Sequence, residues 1–125
     1  MAAPNIVDVS SIYGKTVQDD NLASSATEFL ENAASSNKVL KINTLVISNI
    51  DGTNAADITV SITTAGSTTA LGYLAKTISV PSDSTLVIIS KDTSIYLEED
   101  RAICLQASAT GDLSAVCSYE ELDDA

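Results

Sequence analysis

Histidine and tryptophan are absent from this 125-residue chain, and cysteine occurs only at Cys104 and Cys117. Without histidine there is no imidazole general base, no serine triad and no imidazole metal site, which removes most acyl-transfer and zinc chemistry. Two cysteines are too few for a disulfide framework. Basic residues are also scarce: 6 Lys and Arg stand against 17 Asp and Glu, a formal net charge of −11. Phosphate neutralisation needs clustered cations, so nucleic acid is excluded as a partner, and anionic membranes are disfavoured for the same reason. No apolar run approaches the ~20 residues that span a bilayer. The opening Met1-Ala2-Ala3-Pro4-Asn5 has no basic region followed by an apolar stretch, so no signal peptide is expected and synthesis in a reducing cytoplasm is the simpler reading. Aromatics make up 4% of the chain, namely Tyr13, Phe29, Tyr73, Tyr96 and Tyr119. That is thin for a stacking platform.

What is abundant is branching at Cβ. The chain holds 12 Ile, 9 Val and 13 Thr, residues that fit a pleated, half-buried surface. Turn residues recur at short intervals, as at Ser35-Ser36-Asn37, Asp51-Gly52-Thr53-Asn54, Gly66-Ser67, Pro81-Ser82-Asp83 and Thr110-Gly111-Asp112. Such spacing is the signature of a sandwich or barrel. Between the turns the apolar period is two. Ile58, Val60 and Ile62 alternate with polar neighbours, as do Ile103, Leu105 and Ala107, and then Leu113, Ala115, Cys117 and Tyr119. Leu71, Tyr73 and Ala75 alternate less cleanly. Leu86 to Ile89 is continuously apolar, as for a strand covered on both faces. In Lys38 to Ile50, Leu40 and Ile42 lie on one parity and Leu45 and Ile47 on the other, so a bulge near Asn43-Thr44 is needed to turn both pairs to one core. Ala26 to Asn32 reads as a strand, with a short helix over Ala23 to Ala34 as the alternative.

The predicted fold is all-β: a single antiparallel β-sandwich, jelly-roll or Ig-like, of roughly eight strands with an extended N-terminal arm. Residues 22–121 form the sandwich. Residues 1–21 are apolar enough to need burial but irregular, and read either as a first core strand or as an arm that pairs with a neighbouring subunit. Residues 122–125 close the chain as an acidic tail, a solvated and frayed end.

Few residues are candidates for chemistry. If 109–112 is a hairpin turn, Cys104 and Cys117 face each other across it. Facing Cβ atoms lie ~4.5–5.5 Å apart, wider than the ~3.8 Å mean of a disulfide. The readings are a strained, redox-sensitive staple or two thiols used as small core residues. Asp51-Gly52-Thr53-Asn54 resembles part of a calcium loop but lacks the further acids, so it reads as a turn. Glu98-Glu99-Asp100 followed by Arg101 reads as a solvated turn or a surface for a partner's cations, since adjacent loop acids do not make a glycosidase pair. A serine or threonine nucleophile needs a base, and no motif recruits Lys15, Lys38, Lys41, Lys76 or Lys91 as one. No catalytic, cofactor-binding or metal site is expected.

Several stretches resemble small virion structural proteins of tailed bacteriophages. They are Ser35 to Asn43, Ser48 to Val60, Ile78 to Pro81, Ser90 to Glu99 and Ala115 to Glu121, within residues 35–121. The resemblance implies a non-enzymatic particle component located in the virion. The first form is a capsid decoration or cement protein, a trimer whose partners are copies of itself and a major capsid protein. The alternatives are a neck, tail or fibre-attachment component, or a ligand-binding β module with exposed tyrosines. No family site residue carries over.

Overall fold

The protein is described by a computed structural model covering residues 5–124, so the expectations at residues 1–4 and 125 lie outside the described residues. Nine strands follow one another: β1 (Ser11–Asp19), β2 (Thr27–Asn32), β3 (Lys38–Asn49), β4 (Ala56–Thr64), β5 (Ala70–Val80), β6 (Thr85–Ile89), β7 (Ile95–Leu97), β8 (Arg101–Ala107) and β9 (Leu113–Asp123). One turn of 3-10 helix, Lys91–Thr93, separates β6 from β7. One sheet runs β1-β9-β3-β6, with β7 also on β3; the other runs β2-β8-β4-β5. All pairings are antiparallel. They nest, β1 with β9, β2 with β8, β3 with β6 and β7, and β4 with β5, like one long hairpin rolled up. Of the two sandwich topologies expected, this is the jelly roll.

The period-two pattern fills the space between the sheets. Leu40, Ile42, Leu45 and Ile47 of β3 and Leu113, Ala115 and Cys117 of β9 meet Ile58 and Val60 of β4 and Ile103, Leu105 and Ala107 of β8. Burying each large aliphatic side chain is worth ~1.5–3 kcal/mol. The register of β3 on β9 shifts between Ile42 and Thr44. This is the bulge needed at Asn43, and it turns both parities of β3 inward. Residues 27–32 form a strand, not a helix, and β2 carries its own bulge between Glu28 and Leu30.

Two buried asparagines tie loops to the ends of the roll. Asn32 Nδ2 donates to the carbonyls of Lys38 (2.9 Å) and Leu97 (3.0 Å), and its Oδ1 accepts from Ser36 Oγ (2.6 Å). Asn49 Nδ2 donates to the carbonyls of Asn54 and Val80, both at 2.9 Å, while its Oδ1 accepts from the Asp51 amide. Each bonds backbone groups of strand ends and of the loops beside them, so these buried amides are themselves satisfied.

Three local expectations are corrected. Strand β6 is not covered on both faces: Leu86 and Ile88 pack on the core while Val87 is exposed, because among the described residues the fold has two layers and no element covers the outer face of this sheet. The acidic close of the chain is not frayed through residue 123. Strand β9 continues to Asp123, with Glu121 and Leu122 buried, because β1 and β3 flank it on both sides. The Glu98-Glu99-Asp100 turn is not wholly solvated, since Glu99 is only 7% exposed.

Candidate functional site

The two cysteines do not face each other. Residues 108–112 carry the chain from β8 in one sheet to β9 in the other, so they form an arch rather than a hairpin. Cys104 is opposite Glu28 and Ser61, and Cys117 is opposite Val17 and Leu45. Both are buried free thiols. Cys117 lies in the core, where burial pushes its thiol from 9.0 up to about 12. Cys104 lies on the outer side of its sheet, with Sγ 3.5 Å from Thr63 Oγ1 and 3.6 Å from the Ser67 carbonyl. A turn and an arch share the same turn residues, which is why spacing alone misled.

Asp51 is a turn residue, as expected: its Oδ1 accepts from the Thr53 amide and its Oδ2 from Asn54 Nδ2. Both carboxylate oxygens of Glu99 are buried without a hydrogen-bond partner. The cations are spread out. Glu121 receives Lys15 from β1 (3.3 Å) and Lys38 from β3 (3.5 Å), and Glu120 receives Lys41 (3.9 Å). The Glu121 bridge ties the margin strand β1 to the centre of the sheet across β9. Tyr119 beside it has its phenol raised by burial, with Lys15 pulling the other way. Among the described residues no group of three His, Cys, Asp or Glu could hold a metal ion.

What stands out instead is the sheet margins. Strand β1 lies on β9 in unbroken register from Ser11 opposite Asp123 to Asp19 opposite Ala115. No described strand pairs with its other side. Alternate amides and carbonyls over nine residues are therefore left free. Ile12 (59%) and Tyr13 are exposed on it. At its middle, Gly14 would meet nothing within 4 Å if it carried a Cβ, so the chain's own packing gives no reason for a glycine there. Strand β5 closes the other sheet and exposes Leu71 (59%), Tyr73, Leu74 and Ile78. Its register on β4 shifts three times, and Thr77 sits at φ 49°. The sequence hinted at this only through the poor alternation after Ala70.

The outer face of the second sheet is concave. A groove of about 410 Å³ crosses it, lined in part by Thr59 and Ser61 of β4, Tyr73 and Lys76 of β5 and Gln106 of β8. Nothing in the residue pattern announces it, because its parts lie on strands far apart in the chain.

No protein-family model and no curated protein matches the sequence. Among solved structures, the chain is similar to a Bacillus endospore appendage protein, described as one of a novel family of disulfide-linked pili, with a TM-score of 0.53. The two share 17% identity over 92% of this chain and 90% of that one. At that identity the likeness is one of fold.

Proposed function

We propose that this chain is a non-enzymatic structural subunit that assembles through the free edge of β1, and that it serves as a decoration or cement protein on a bacteriophage head. The observation that carries the assembly reading is the unbroken nine-residue ladder of β1 with no described strand on its other side. An incoming strand would satisfy its free amides and carbonyls, and Ile12 and Tyr13 would bury apolar surface as it docks. The resemblance of residues 35–121 to phage virion proteins supports the particle setting. In this reading β1 meets a different edge of the next copy, and three copies close a ring that seats on the major capsid protein. Repetition over a shell turns a modest single contact into a firm one. The chain is made in the host cytoplasm, where its −11 charge holds free copies apart until they dock.

A second reading follows if the same head-to-tail contact does not close: an open array, as in a neck, tail or filament. The appendage protein of similar fold is described as forming disulfide-linked pili. Cys104 and Cys117 are both buried here, so this chain would join its neighbours through strands and surfaces rather than through these thiols.

Light scattering across ionic strength tests the assembly. Salt screens the mutual repulsion, so the mass is expected to rise from one copy to three, and Ile12→Lys is expected to hold it at one. Masses that grow without limit favour the filament reading. Particles that lack this protein yet keep their heat and osmotic resistance would defeat the cement role.

A further inference from the structure

We infer that the groove on the outer face of the second sheet is a binding site that takes a short neutral carbohydrate. Three features lead there. First, it contains hydrogen-bonding groups that the fold leaves unused. Ser61 is 5% exposed, yet its hydroxyl bonds to nothing in the described chain. The Asp57 carboxylate is likewise without a partner, and Gln106 spends its Nε2 on the Ser24 carbonyl, leaving Oε1 as an acceptor. Thr59 Oγ1 accepts from the Thr77 amide at 3.0 Å and keeps its own proton to donate. Polyols match such a mixture of hydroxyl, amide and carboxylate groups.

Second, the groove has one aromatic wall. Tyr73 is 54% exposed, and the Lys76 ammonium stands 4.8 Å from the centroid of its ring. The cation covers one face of the ring and restrains it, which leaves the opposite face for the apolar C–H side of a sugar to stack on. This wall stands on the irregular part of β5: its register on β4 shifts between Ala75 and Tyr73, and Thr77 lies in the left-handed region, features that bend a strand and change where its side chains project.

Third, charge and size limit the ligand. Asp57 and Lys76 balance, and no pair of cations converges on the groove as phosphate recognition requires. A volume of about 410 Å³ falls within the ~300–1,000 Å³ of small-molecule sites. The inference is independent of assembly through β1, because the groove faces outward from the other sheet.

The test is a titration of amide resonances of the full chain with maltose, cellobiose and chitobiose. With at least one of them, the amides of Thr59, Ser61, Tyr73 and Gln106 are expected to shift together. Tyr73→Ala is expected to weaken that sugar about tenfold or more. Lys76→Ala, which frees the ring without removing it, should weaken it less while the rest of the spectrum stays unchanged, and it serves as the readout if Tyr73→Ala fails to fold. No shift with any of the three sugars would overturn the inference. So would shifts that persist undiminished in both variants, or binding of glucose 6-phosphate with none of the neutral sugars.

Discussion

Strands β1 and β5 each close one side of a sheet, and each exposes apolar side chains, but they are built differently. β1 is straight in register over its whole length and carries a glycine at its centre. β5 shifts register three times against β4 and places a β-branched residue at positive φ. Bulges of this kind are how sheets blunt an edge against pairing. One margin is therefore left open to another strand, and the other is closed to strands and shaped into the wall of a groove. Exposed apolar surface alone does not mark an assembly edge; the regularity of the ladder beside it does.

Substitutions on the two strands should behave differently. The largest effect is expected at Val17, the one β1 side chain that packs on the core. Val17→Asp should cost about 2 kcal/mol by setting an uncompensated charge against apolar neighbours. Ile78→Asp on β5 should stay within about 0.5 kcal/mol, since its side chain already meets water. Urea melts of both variants measure the gap, and equal losses would erase the distinction between the strands. Next comes Glu121→Gln. It removes the carboxylate shared by Lys15 and Lys38, and about 1 kcal/mol should go with it. Amide exchange along β1 should quicken while β5 is unmoved.

These margins also show how much of the molecule was legible in its residues. The central strands were plain. Ile58 and Val60, or Ile103 and Leu105, repeat every second position because two sheets sandwich them. Even the bulge at Asn43 could be read, since Leu40 and Ile42 cannot share a face with Leu45 and Ile47 without one. The margins were opaque for a physical reason. Leu71 and Leu74 on an exposed edge look the same in sequence as leucines of a core, and nothing local tells which side of β1 is covered. The pairing of Cys104 with Cys117 failed because residues 108–112 cross between sheets, a choice made by packing on both sides rather than by turn chemistry. The groove could not be read at all, as strands β4, β5 and β8 converge only in the rolled form.

Two further residues should have smaller effects. Thr77→Gly should stabilise the chain by about 0.5 kcal/mol. It relieves a β-branched residue at φ 49°, and glycine's greater freedom when unfolded offsets part of the gain. A loss on denaturant melting would mean that the Thr77 side chain does more than its backbone suggests. The last effect is confined to alkaline pH and belongs to the titration of Cys117. Its thiol titrates near 9.0 when unfolded and about 12 when folded, so between those values the folded chain holds the proton that the unfolded chain releases. The contribution is complete below pH 9 and is lost as pH rises toward 12. Tyr119, raised in the same direction by burial, adds to the same alkaline loss. Cys117→Ala should flatten the fall in stability above pH 9, as read by thermal melts across that range.

Hydrogen exchange on the full-length protein, dispersed and assembled, reads whether the outer side of β1 receives another chain. Alternate amides along Ser11–Asp19 should gain protection on assembly, while those of β5 keep their rates. An assembled form in which β1 exchanges as fast as in the single copy, or a chain that never assembles once its charge is screened, would contradict it.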